Sequence, residues 1–134
     1  TVLKDFSKAT GRLYQITDDI LGTFGDEKVT GKSPMDDMRE GKRTILSVYT
    51  MKNIKGKDKN MFKKILGKAN LNEAEFEQAK HLIASSGALE YAKNQANIEM
   101  LRAKEALKKL SKTWSTQSMT FLEQLVDSFV SRTV

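Results

Sequence analysis

Between Ala88 and Leu110 neither glycine nor proline interrupts the chain, and Leu89, Ala92, Ala96, Met100, Ala103, Leu107 and Leu110 return at steps of three and four. That period puts them on one stripe of a helix. Such a stripe must be buried against other helices, because helix propensity alone gives little stability in water. The chain holds one proline and eight glycines in 134 residues, which leaves room for long helices and argues against a many-turned β architecture. An all-α fold in one domain is expected, since this length supports one modest core rather than two.

Other segments repeat the pattern. Leu3, Phe6, Leu13, Ile20 and Phe24 fall on a rough heptad and Gly25 follows, predicting a helix over 2–24. Residues 25–41 contain Gly31, Ser33, Pro34 and five acidic residues without apolar periodicity, and read as a long loop. Ile45, Leu46, Val48 and Met51 predict a helix over 43–54 that ends near Gly56. Asp58 is expected to cap a short helix through Met61, Phe62, Ile65 and Leu66 that stops at Gly67. Asn72 with Glu75 has the form of a capping box opening a helix through Phe76, Ala79, Leu82 and Ile83, closed by Ser85-Ser86-Gly87. A last helix is expected over 116–132 on Met119, Leu122, Leu125, Val126 and Phe129, with Trp114 at its start as an anchor in the bundle. His81 is expected in a solvent or partial-core role, and Met100 and Met119 as packing residues.

The formal charge of +6 is compatible with nucleic acid, an acidic surface or a phosphorylated substrate. Of its main sources, Lys52, Lys55, Lys57, Lys59, Lys63, Lys64 and Lys68 have little aromatic interleaving, and Lys104, Lys108, Lys109 and Lys112 lie on the outer side of an apolar helical stripe. Solvated helix faces are therefore favoured, with no nucleic-acid partner. No stretch approaches the roughly 18 apolar residues of a membrane span, and no basic-then-apolar leader opens the chain, so a soluble, cytoplasmic protein is expected. Without cysteine, a metal would need oxygen ligands or His81. The chain opens at Thr1 inside a helical pattern, which suggests a truncated or processed chain.

The chemistry-bearing constellation is the adjacent pair Asp18 and Asp19 near the end of the first helical stretch, followed by a lysine-bearing loop to Lys42. Gln15, Asp18, Asp19 and Gly22 share a helical face. Two neighbouring carboxylates repel, and near a helix C-terminus each also meets the negative end of the macrodipole, costing roughly 0.3–1 kcal/mol. A divalent cation would offset that. Magnesium suits hard oxygens and is usually shared between one or two carboxylates and a substrate's phosphates, and Lys32 and Lys42 suit phosphate oxygens. The competing reading of the same spacing is a set of solvent-exposed ion pairs.

The run Tyr14-Gln15-Ile16-Thr17-Asp18-Asp19-Ile20-Leu21, then Phe24-Gly25-Asp26, Thr30-Gly31-Lys32 and Asp37-Met38-Arg39-Glu40-Gly41-Lys42-Arg43-Thr44, closely resembles the second aspartate-rich region of the trans-isoprenyl diphosphate synthases, the polyprenyl synthetase family. Ser86-Gly87-Ala88-Leu89 with Ala103 and Leu107, and the closing Leu122, Leu125 and Arg132, resemble its later helices. The resemblance implies the C-terminal part of the isoprenoid synthase helical bundle, over residues 1–134. It implies an enzyme that condenses isopentenyl diphosphate with an allylic diphosphate, using magnesium, to make a linear isoprenyl diphosphate. By the same resemblance Asp18 and Asp19 bind magnesium, Lys32 and Lys42 hold the diphosphate, Gln15 orients the site, and Asp37 sits in the loop closing over it.

Two departures stand out. The family motif is usually Asp-Asp-x-x-Asp, yet Gly22 fills its last position, with Asp26 one further turn along as a partial substitute. The first aspartate-rich motif belongs to the family's N-terminal half, which this sequence does not contain. The chain alone is accordingly expected to be inactive, and exposed apolar faces are expected to favour a homodimer or other self-association. Two other functions compete: a non-catalytic partner subunit of a heteromeric prenyl synthase, and a basic helical binding module for nucleic acid or acidic lipid.

Overall fold

The computed structural model describes residues 1–132. Among them the elements are all helical: α1 (Val2–Phe24), α2 (Glu27–Thr30), α3 (Asp36–Arg39), α4 (Ile45–Asn53), α5 (Gly56–Ile65), α6 (Glu73–Ser85), α7 (Ala88–Leu110) and α8 (Thr116–Ser131). The chain divides into two compact units. One comprises residues 1–17 and the chain from Lys93 onward, the other Asp18–Ala92.

The first unit is built on the stripe read from the sequence. Ala96, Ala103, Ala106 and Leu107 of α7 form a core with Phe6, Ala9 and Leu13 of α1 and Met119 and Val126 of α8. The alanines on the α7 side leave room that the larger side chains of the partner helices fill. Lys104 of α7 pairs with Asp127 of α8 at 2.6 Å. Tyr14 meets Phe129 edge-on, with ring centroids 5.3 Å apart, and Arg132 stacks over the Tyr14 ring. Trp114 is not the anchor expected of it: it lies in the turn before α8 and is 40% exposed. Ser115, not Trp114, opens the helix, because its hydroxyl accepts the Ser118 amide.

In the second unit α4, α5 and α6 pack on one another. Its buried side chains include Leu46, Phe62, Phe76, Leu82 and Ile83. The Asn72–Glu75 capping box is present in both directions and starts α6. Lys68, hydrogen-bonded to Glu75, and then the Asn72 amide hold the Glu75 carboxyl below the usual range. This contribution to stability is therefore complete above the ordinary glutamate value and disappears as the pH falls through the lowered one. Lys80 of α6 lies over the rings of Phe24 and Phe76, 5.7 and 5.4 Å from their centroids, fastening the end of α1 beside α6.

Three boundaries differ from the sequence reading. Gly56 starts α5 rather than ending α4, and Asp58 lies within the first turn of α5, where Lys55 occupies the N-cap without a side-chain bond. Residues 25–41 are not an unstructured loop. Asp26 caps α2 by accepting the Lys28 amide at 2.9 Å, and Gly31 closes it at φ 75°. The single turn α3 then buries Met38 and Asp37. Apolar periodicity could not reveal either helix, since one turn is too short to show a period.

Candidate functional site

Asp18 and Asp19 lie in the last two turns of α1 and point in different directions, as neighbours on a helix must. Asp18 is half-buried and joins none of the ion pairs found among the described residues. Asp19 is buried, 5% exposed. Its Oδ2 accepts the backbone N–H of Ile45 at 3.2 Å, and its Oδ1 lies 3.8 Å from Lys42 Nζ. Ile45 is the first residue of α4, whose free amides carry partial positive charge. The carboxylate that sits badly at the end of α1 thus sits well at the start of α4. Part of the compensation that the sequence assigned to a metal comes from the protein itself.

Asp37 is turned inward by α3, and its side chain is 10% exposed. Its Oδ1 lies 3.9 Å from Lys32 Nζ and its Oδ2 lies 3.7 Å from Lys42 Nζ. Lys42 therefore spans two buried carboxylates, Asp19 and Asp37, while Lys32 faces the other oxygen of Asp37. These separations are too long for hydrogen bonds, so the ammonium protons remain available to an incoming acceptor. The lysine side chains are 43% and 36% exposed, so both reach solvent from a buried acidic floor.

The backbone holds this arrangement. The Lys42 amide donates to the Asp37 carbonyl at 2.9 Å, and the Ser47 hydroxyl donates to the Lys42 carbonyl at 3.1 Å. Thr44 and Ser47 form a reciprocal capping box at the start of α4, the Thr44 hydroxyl accepting the Ser47 amide at 3.1 Å. A cap of this kind is worth about 1 kcal/mol, and here it also fixes the base of Lys42. Before Lys42 the chain turns at Gly41, φ 67°, where an added Cβ would come within 3.1 Å of Gly67 Cα. The Gly67 amide reaches the Met38 carbonyl at 2.8 Å and ties α3 to the turn after α5.

Of the residues singled out in the sequence, Asp19, Lys32, Asp37 and Lys42 come together. Asp18 adjoins them through α1 but makes no ion pair among the described residues. Gln15 is exposed, one turn earlier on α1, and belongs to the first unit. Asp26 does not stand in for a third aspartate: it is exposed and its carboxylate caps α2. His81 is exposed. Three participants escaped the sequence reading. The Thr44-x-x-Ser47 spacing was a legible signal for Ser47, whereas the Ile45 amide and the space at Gly22 had none. A Cβ built on Gly22 would lie 2.2 Å from Asp37 Oδ2, so the carboxylate rests directly against the bare helix.

No group of three or more His, Cys, Asp or Glu side chains among the described residues could cage a metal ion. Magnesium needs no such cage, because it keeps waters and takes one or two carboxylates. Asp37 Oδ2 is buried without a hydrogen-bond partner, an oxygen with spare capacity for a cation or a bridging water. The donors are hard oxygens, and they fit such an ion.

Residues 1–83 match the Polyprenyl synthetase family. A geranylfarnesyl diphosphate synthase from Aeropyrum pernix is 38% identical over 122 residues, covering 91% of this chain and 37% of the relative. A polyprenyl synthase from Caulobacter crescentus CB15, solved in complex with calcium and isoprenyl diphosphate, is 30% identical with a TM-score of 0.83, covering 99% of this chain and 40% of that one. A geranylgeranyl pyrophosphate synthase from Corynebacterium glutamicum, complexed with isoprenyl diphosphate and magnesium, shares the fold at a TM-score of 0.90 and 24% identity, over 98% of this chain and 37% of that one. The chain thus spans less than two fifths of the length of the Aeropyrum relative. The family match over residues 1–83 takes in the whole acidic and lysine-bearing site, and the chain belongs to the polyprenyl synthetase family.

Proposed function

We propose that this chain is the C-terminal portion of a magnesium-dependent prenyltransferase that joins isopentenyl diphosphate to an allylic diphosphate, giving a linear isoprenyl diphosphate. The observation that carries the proposal is the seating of Lys42 between two buried carboxylates with Lys32 beside the second. Carboxylates alone would repel a diphosphate, and lysines alone would collapse onto the nearest acid. Together they keep two ammonium groups aimed at one place.

In this reading Lys32 and Lys42 take hold of the diphosphate oxygens of the allylic substrate. The allylic C–O bond breaks and pyrophosphate departs with the electron pair. The double bond of isopentenyl diphosphate then forms a new C–C bond to the allylic carbon, and loss of a proton restores an alkene. The lysines bear positive charge where the leaving group becomes more negative, so they bind the transition state better than the substrate. Asp18 and Asp19 would hold magnesium, with Asp37 close by, and Gln15 would orient the site. Bound there, magnesium supplies Lewis-acid charge to the leaving diphosphate.

A bisphosphonate is expected to bind this chain in magnesium and to be released by a chelator, and Asp18→Ala should remove the binding while leaving the thermal midpoint near that of the parent chain. Equal binding with chelator present, or by Asp18→Ala, refutes the proposal. Salt-sensitive binding to random DNA without magnesium would point instead to a basic binding module.

The proposal includes self-association. Leu3, Leu101 and Phe121 are 47%, 62% and 64% exposed in the first unit, apolar surface that a second chain could cover. Sedimentation is expected to give a species heavier than the 15.1 kDa chain. A monomer that binds no hydrophobic dye contradicts this part.

A further inference from the structure

The geometry points to Gly22 as a positioning residue of the diphosphate site, one whose missing side chain seats the Asp37 carboxylate. This rests on the function proposed above and concerns the position at which the chain departs from the aspartate motif. A Cβ at residue 22 would lie 2.2 Å from Asp37 Oδ2 and 3.1 Å from its Cγ. No pair of non-bonded atoms tolerates the first distance, so any side chain there moves the carboxylate. That carboxylate is what brings Lys32 and Lys42 to one point, through separations of 3.9 Å and 3.7 Å. Displacing it separates the two ammonium groups before a ligand arrives.

Gly22 is buried inside α1, where glycine is the least favoured residue apart from proline. Helix stability therefore argues for another residue, and the seat for Asp37 supplies the reason for glycine. Asp37 Oδ2 is itself buried and lacks a hydrogen-bond partner, with Lys42 Nζ 3.7 Å away and the bare face of Gly22 beside it. Restoring the aspartate of the usual motif at position 22 would add a second carboxylate where the first already sits. The motif-completing change Gly22→Asp is accordingly expected to weaken diphosphate binding.

A double-mutant cycle tests this, with magnesium-dependent affinity for inorganic pyrophosphate measured by calorimetry on the parent chain, Gly22→Ala, Asp37→Ala and the double variant. Gly22→Ala lowers affinity about tenfold when Asp37 is present, and by less than about twofold in the Asp37→Ala background. Equal losses in both backgrounds, no loss in the first, or tighter binding by Gly22→Asp overturns the assignment. Melting curves of the same four chains give a readout independent of ligand. Alanine should raise the midpoint once Asp37 is gone, because it favours the helix, and should fail to raise it while Asp37 remains. Should Gly22→Ala unfold only with Asp37 present, the same coupling is read from the midpoints; unfolding in both backgrounds overturns it. If the parent chain binds no pyrophosphate in magnesium, the diphosphate reading fails and the Gly22 assignment with it. Parent binding with equal losses in both backgrounds sinks the Gly22 assignment alone.

Discussion

Lys42→Ala is expected to lower the magnesium-dependent affinity for pyrophosphate by roughly 2–4 kcal/mol, about thirty- to a thousandfold. The effect is large because Lys42 does two things at once. It offers donors to the ligand, and it neutralises Asp19 and Asp37, whose side chains are only 7% and 10% exposed. Without it, pyrophosphate meets two poorly solvated carboxylates of its own sign. Affinity for magnesium alone should hold or rise, since the same carboxylates then lack a competing cation. Calorimetric titration of each ligand separately checks both signs. A uniform loss for metal and pyrophosphate would instead mean that the turn at Gly41 has come undone. Lys42→Arg restores charge but not the compact ammonium, so it should recover only part of the affinity.

The chain by itself is expected to turn over no prenyl substrate. Rate enhancement of an ionising C–O bond requires water to be excluded and charge to be organised on every side of the leaving group. Here the acidic floor and its lysines supply one side, within a chain that spans 37% of the Aeropyrum relative. Incubation with isopentenyl diphosphate, an allylic diphosphate and magnesium should yield no longer prenyl diphosphate by chromatography, whereas a full-length family member run in parallel should. Product formation by this chain alone would overturn the expectation. Binding without turnover is the combination expected if the chain supplies one side of the site.

Much of the fold was legible because long helices repeat their signal. The stripe from Leu89 to Leu110 extends over several turns, and α7 occupies the span it predicted. The Asn72–Glu75 box was equally clear, since capping is a matter of nearest neighbours. What the sequence could not express was contact at a distance. That Asp19 reaches the Ile45 amide depends on the approach of α4 to the end of α1, across 26 positions of chain. That Asp37 is buried depends on a single turn, α3, too brief to show a period. Trp114 misled because a large aromatic beside a helix start is ordinarily buried, and here it is not.

The position of Gly22 is the most instructive case. As a letter in a motif it is a missing ligand, for which the sequence offers Asp26 as no more than a partial substitute. In three dimensions Asp26 is occupied in capping α2, and the space at Gly22 is filled by Asp37. A residue absent from one helix has been replaced by room for a residue from another element.

The most direct test is a crystal structure of the chain grown with magnesium and pyrophosphate. The account predicts pyrophosphate between the ammonium groups of Lys32 and Lys42, with a metal ion joining it to the carboxylates of Asp18 and Asp19. Pyrophosphate bound instead along the exposed lysines of α5, or density for neither ligand at saturating concentration, would contradict it.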